Sequence, residues 1–124
     1  MTMDKTILVV EDQDDLRLLI RLTLKQLGRV SAHADAREVI ELVRTERPAL
    51  LVLDVWLGAG LNGLDICRQL KAGAAGHVPK VLMLSACGQQ SDVEAGMAAG
   101  ADRYVVKPFS PESLVKAASY LLAA

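Results

Sequence analysis

Aromatic side chains are scarce in this 124-residue chain: Phe, Trp and Tyr together make up 3% of it. A core must therefore be assembled from Leu, Val, Ile and Ala, and Trp56, Tyr104 and Phe109 stand out as individuals. Cysteine is scarce too. Cys67 and Cys87 have no metal-binding spacing and make no disulfide framework, which argues against a zinc module or a stapled secreted domain. No apolar run reaches the roughly 20 residues that cross a bilayer, and no signal peptide opens the chain. The reading is a cytoplasmic protein with no membrane partner. A formal net charge of −1 gives no basic field for nucleic acid. What is present is 52% hydrophobic and 23% charged, a globular composition. Its length suits one domain, able to bury about two-thirds of its unfolded surface. Residues 1–124 are read as that single domain; the last helix runs to the final residue, leaving no room for an output domain.

Along the chain, short apolar runs alternate with helical patterns. "TILVV" (Thr6 to Val10) is a continuous apolar run suited to a strand buried on both faces, "LLVLD" (Leu50 to Asp54) is a second buried strand, "KVLML" (Lys80 to Leu84) another apolar strand and "RYVV" (Arg103 to Val106) a further strand. "RVSAHA" (Arg29 to Ala34) alternates weakly and suits an edge strand. Between them, "LRLLIRLTLKQLG" has Leu16, Leu19, Ile20, Leu24 and Leu27 at helical spacing, with Asp14 as an N-cap and Gly28 as a stop. "DAREVIELVRTERP" is a second amphipathic helix capped by Asp35, and "LDICRQLKAG" a third. "QSDVEAGMAAGA" is a fourth, rich in Ala and Gly and weak in intrinsic stability. In the fifth, Ser110 caps and Pro111 takes the first helical position. Five strands alternating with five helices predict a three-layer α/β domain with a doubly wound parallel sheet.

In such a sheet, ligands sit beyond the carboxyl ends of the strands. There the first strand ends in Glu11 and Asp12, the third in Asp54, the fourth in Ser85 and the fifth in Lys107. Each alone suits a turn or a helix dipole; together on one rim they predict a shared site. Three crowded carboxylates repel one another unless a cation intervenes. An all-oxygen ligand set selects a hard ion, and Mg2+ fits one that keeps waters and favours phosphate oxygens. A metal, a lysine and a hydroxyl around one remaining carboxylate are the parts that stabilise a phosphoryl group in transfer. An ionised carboxylate needs no base to attack phosphorus, so the simplest chemistry is that Asp54 becomes phosphorylated.

With "ILVVEDQ", "LLVLDV" and above all "GADRYVVKPF" (Gly100 to Phe109) at matching spacings, the chain resembles the CheY-like receiver domain of two-component response regulators over essentially its whole length. The resemblance implies a flavodoxin-like fold with strand order 2-1-3-4-5. It implies that Asp54 is phosphorylated and that Glu11 and Asp12 bind Mg2+, with the backbone carbonyl of Trp56 as a further ligand. Ser85 would contact the phosphoryl group and Lys107 would pair with one of its oxygens. Lys107–Pro108 would be a cis bond, and Tyr104 would be the aromatic whose rotamer reports phosphorylation. The implied partners are a histidine kinase or histidine phosphotransfer protein, and a downstream protein on the face formed by the fourth helix, fifth strand and fifth helix. Nucleic acid would not be bound directly. The domain would catalyse only its own phosphorylation and a slow dephosphorylation, slow because Trp56 and Cys87 would flank the incoming water and neither orients it well. Two features depart from the family's pattern: Glu11 stands where Asp is commoner, and the loop "WLGAGLNG" lacks a proline and is slightly long.

Other readings are weaker. An aspartate-nucleophile phosphatase of the haloacid dehalogenase type needs an Asp-x-Asp pair after the first strand, whereas here "DVW" follows the third. A binding-only degenerate receiver would not need the full set of site residues. No Ser/Thr- and Gly-rich loop follows the first strand to cradle a flavin phosphate. Arg17, Arg21 and Lys25 read as a solvated stripe with a secondary docking role, and His33 and His77 as ordinary surface or edge residues.

Overall fold

The computed structural model describes residues 5–57 and 60–124. Five strands, β1 (Thr6–Val10), β2 (Arg29–His33), β3 (Leu50–Asp54), β4 (Lys80–Ser85) and β5 (Arg103–Val106), form one parallel sheet in the order β2-β1-β3-β4-β5. Among the described residues, α1 (Asp14–Leu24), α2 (Val39–Glu46), α3 (Gly63–Lys71) and α4 (Gln90–Ala98) make the four crossovers, α5 (Pro111–Ala123) follows the last strand, and a 3-10 turn (Ala36–Glu38) leads into α2.

The period of two along each strand sorts the core into two layers. Leu8, Val10, Leu51, Leu53, Val81 and Met83 pack against Val39 and Val43 of α2 and Ile66, Cys67 and Leu70 of α3. Ile7, Val9, Leu50, Val52, Leu82 and Leu84 face Ile20 and Leu24 of α1 and Leu114, Ala118 and Leu121 of α5. Every residue of β3 is buried, so the nucleophile candidate ends the most enclosed strand of the sheet. Burial also raises the Cys67 thiol to about 11. No helix among the described residues is long and apolar enough to cross a membrane.

Two caps differ from expectation. Helix α1 begins at Asp14 with Gln13 in the cap position, which places Asp14 and Asp15 in the first turn, where their charge complements the helix dipole and Asp14 also pairs with Arg17. The same helix ends at Leu24, before Gly28. The glycine serves a close approach instead, since a Cβ at Gly28 would fall on the carbonyl of Lys5. Helix α4 ends at Ala98, three residues short of the predicted stretch. Asp35 caps the 3-10 turn rather than α2, accepting from the Arg37 N–H at 2.9 Å, and α2 starts after Glu38 with no side-chain cap; Ser110 accepts from the Ser113 N–H at 3.1 Å with Pro111 in the first turn.

Candidate functional site

The parallel register brings the ends of β1, β3, β4 and β5 to one rim. Glu11 is held by its backbone N–H, which donates to the His33 carbonyl at 3.0 Å, and by Oε2, which accepts from the Gln13 N–H at 3.1 Å. It is 1% exposed, whereas Asp12 beside it is open to solvent. Asp54 is 4% exposed. One of its oxygens accepts from the Trp56 N–H at 3.1 Å and the other from the ammonium of Lys107, which also reaches Glu11 Oε1 at 3.3 Å. A backbone donor and a cation thus fix both oxygens of the carboxylate.

Lys107 is brought there by the end of β5, where its N–H donates to the Ser85 carbonyl at 2.8 Å and its bond to Pro108 is cis. Burial works against its ammonium, but Asp54 and then Glu11 outweigh that, and the net shift is upward. The lysine therefore stays cationic. Glu11 goes the other way. Burial raises its carboxyl to about 7; the Gln13 N–H opposes this, Asp54 adds to it, and Lys107 again opposes it.

Glu11, Asp12 and Asp54 each offer an oxygen, all within 4.8 Å of one another. A compact all-carboxylate cluster with one solvent-facing member suits a hard divalent ion that retains waters, and Mg2+ fits these residues. That fit has a pH signature. A Glu11 carboxyl near 7 in the fold and near 4.5 unfolded means that the native chain holds the extra proton between those values. The metal-free domain therefore loses stability as pH rises through that window. A divalent ion needs the ionised form, so Mg2+ affinity is expected to rise about tenfold from pH 6 to pH 8, with proton release on binding. Calorimetry in two buffers of different ionisation enthalpy measures this, and Glu11→Gln should flatten it.

Ser85 lies at the end of β4, fully buried, one position beyond the Leu84 that pairs with Asp54. Its hydroxyl accepts from the Cys87 N–H at 3.0 Å, so it is engaged with its own loop; no hydrogen bond joins it to Asp54 among the described residues. Tyr104 stands one step further out. Its ring packs on the α2–α3 side of the core and its hydroxyl donates to the Cys87 carbonyl at 2.7 Å, so the side chain already lies inward. Trp56 pairs with Asn62 in an isolated antiparallel bridge, and the residue is 61% exposed. The loop expected to let backbone approach the site is described on either side of Gly58 and Ala59, which lie outside the described residues.

The glycine that matters for Asp54 is a different one. A Cβ at Gly63, the first residue of α3, would fall on the Asp54 carbonyl oxygen, with Val55 Cα 3.1 Å away. The Gly63 N–H donates to the Val55 carbonyl at 2.7 Å, and Asn62 caps the helix by accepting from Leu64 N–H at 2.7 Å. Sequence reading passed over Gly63, although its place just after a capping Asn was a usable signal. It also left Arg17 in a solvated stripe. The guanidinium donates to the Glu11 carbonyl at 3.0 Å and to Asp14 at 2.7 Å, and so braces the turn that carries the acidic pair.

Residues 7–119 match the family model described as "Response regulator receiver domain". The chain belongs to the response-regulator receiver family. This receiver is 41% identical over 115 residues to "DNA-binding response regulator MtrA" of Mycolicibacterium smegmatis, covering 92% of this chain and 49% of that protein. It is 37% identical over 113 residues to "Alkaline phosphatase synthesis transcriptional regulatory protein PhoP" of Bacillus subtilis, covering 90% and 46% respectively. The receiver thus spans about half the length of these curated relatives. Among solved structures it is similar to "BeF3 Activated DrrB Receiver Domain", with a TM-score of 0.87 at 32% identity, covering 98% of this chain and 100% of that one. A putative response regulator from Chloroflexus aurantiacus gives 0.87 at 31% identity, covering 98% and 99%. The strand order of this receiver is the 2-1-3-4-5 expected of the family.

Proposed function

We propose that this receiver accepts a phosphoryl group on Asp54 from a phosphohistidine donor and passes the signal on through the face made by α4, β5 and α5. The observation that carries the reading is the Lys107 ammonium seated on a buried Asp54 whose other oxygen is held by a backbone N–H. A carboxylate oxygen of Asp54 attacks phosphorus, the phosphorus–nitrogen bond of the donor breaks, and the imidazole leaves with the electron pair. The product is an acyl phosphate on Asp54. Lys107, kept charged, transfers a hydrogen bond from the carboxylate to a phosphoryl oxygen. Bound Mg2+, held by Glu11, Asp12, Asp54 and the Trp56 carbonyl, would supply neutralisation of phosphoryl charge. The Ser85 hydroxyl leaves the Cys87 N–H and turns to the phosphoryl group, which frees the loop that Tyr104 holds.

The donor, a histidine kinase or phosphotransfer protein, approaches over a groove of about 1000 Å3 lined by Gln13, Leu16, Leu19, Lys107, Pro108 and Phe109. Leu18 and Leu22 of α1 are exposed as well. The output face offers Met97, Val106 and Tyr120, with the Arg103 guanidinium 5.1 Å from the Tyr120 ring centre. In this reading the receiver touches protein rather than nucleic acid, in keeping with its net charge of −1. Its chemistry is confined to its own phosphorylation and a slow loss of the group, since neither the indole of Trp56 nor the thiol of Cys87 orients water as a carboxylate or amide would. A phosphatase of the haloacid dehalogenase type is disfavoured by Trp56, which stands where an Asp-x-Asp pair needs its second aspartate. A binding-only role is disfavoured by the retained carboxylates and lysine.

Incubation with acetyl phosphate and Mg2+ should add one phosphoryl group per chain, labile to hydroxylamine as an acyl phosphate is. A hydroxylamine-resistant label, or none, would count against the reading.

A further inference from the structure

Tyr104 and Val106 lie two apart on β5, and each presses on a glycine of the segment that precedes the strand. A Cβ added at Gly96 in α4 would lie 2.6 Å and 2.8 Å from the Tyr104 ring carbons Cδ2 and Cε2. A Cβ at Gly88 would lie 2.9 Å and 3.4 Å from the two γ-carbons of Val106. Gly96 is the buried residue of α4, whose neighbours Glu94, Met97 and Ala98 are exposed. Next to Gly88, the Tyr104 hydroxyl holds the Cys87 carbonyl.

Neither glycine is among those with positive φ, so the backbone does not require them. In a helix interior, glycine is worse than alanine for both conformational entropy and propensity. Gly96 therefore carries a penalty within α4 that its backbone does not explain, and the ring against it does. A helix so poor in buried large side chains depends on this close approach to stay against β5.

We propose that Gly96 is a positioning residue that fixes Tyr104 inward, and that with Gly88 beneath Val106 it forms the seat by which the β4–α4 loop and α4 follow β5. The role in signalling rests on the reading of Tyr104 as the residue that links Asp54 to the output face; the seat itself does not. With alanine at position 96 the ring cannot stay where it is. Either Tyr104 turns out to solvent or α4 lifts from the strand, and both alter the output face without touching Asp54.

The test uses the intact chain with fluorotyrosine incorporated, the Tyr120 signal being assigned with Tyr120→Phe. Gly96→Ala is expected to move the Tyr104 fluorine signal to its solvent position and to lower the denaturant midpoint. In a Tyr104→Ala background the same substitution should raise the midpoint, as helix propensity alone demands. In a Tyr104→Phe background it should still lower it, because the ring and not the hydroxyl makes the contact. A Gly96→Ala chain that is stabilised in all three backgrounds, with the Tyr104 signal unmoved, overturns the proposal. If the seat behaves as expected but phosphorylation of the unsubstituted chain leaves the Tyr104 signal where it was, the seat stands and the signalling reading of Tyr104 falls.

Discussion

Asp54→Asn is expected to leave the domain folded and to reduce phosphoryl uptake from acetyl phosphate to background. An amide lacks the charged, nucleophilic oxygen that forms the acyl phosphate. Asn is nearly isosteric, so the Trp56 N–H can still donate to its carbonyl oxygen. What changes is the charge around Lys107. Removing one partner of a buried ion pair costs roughly 3–5 kcal/mol when the remaining charge is stranded. Here the ammonium retains Glu11, 3.3 Å away, and repulsion between Glu11 and Asp54 disappears, so the net loss should be no more than about 2 kcal/mol. Intact-mass measurement with and without acetyl phosphate reads the uptake, and a denaturant titration reads the stability. Undiminished labelling of the Asn variant would place the acceptor elsewhere.

The largest loss of stability from a small change should come from Gly63→Ala. The three heavy atoms nearest the added methyl are all backbone: the Asp54 carbonyl oxygen, with the carbonyl carbon of Asp54 and Val55 Cα each at 3.1 Å. No side chain can rotate away to make room. The start of α3 must back off from β3, which strains the 2.7 Å bond from Gly63 N–H to the Val55 carbonyl and drags on the strand end that carries Asp54. An ordinary Gly→Ala change inside a helix gains up to about 1 kcal/mol; this one should lose about 2–4 kcal/mol, the range of overpacked sites. Phosphorylation should slow as well, because the carboxylate no longer lines up with Lys107. Asn62→Ala is the useful comparison. It removes the cap of the same helix at about 1 kcal/mol but leaves Asp54 undisturbed, so its phosphorylation rate should stay close to that of the unsubstituted chain.

Strands were legible in the sequence because burial on both faces writes itself as an unbroken apolar run. "TILVV" and "LLVLD" coincide with the buried strands β1 and β3, whereas "RYVV" coincides with β5, an edge strand whose Arg103 and Val106 are exposed. The polar residues that end those runs were legible for the same reason: a charge abruptly following such a run marks the rim. Helix ends were less so. Gln13 caps α1 without a side-chain bond, a choice dictated by where the chain leaves β1 rather than by Gln itself. Gly63 and Gly96 were hidden because their role is to leave space for atoms of another segment, and a missing Cβ has no periodicity. The inward position of Tyr104 and the brace that Arg17 puts on Glu11 are likewise products of packing. Charge at regular spacing on α1 suggests only a wet face until the neighbouring loop is in place.

The two thiols divide the domain by timescale. Cys67 is sealed in the α2–α3 layer and held in the thiol form, whereas Cys87 is half-buried in the β4–α4 loop. An alkylating reagent added to the native protein should modify Cys87 at a rate set by local opening of that loop, and Cys67 only when the whole domain unfolds. A single labelling time course should therefore be biphasic, its fast rate reporting the opening of the segment around Tyr104 and its slow rate the lifetime of the native state.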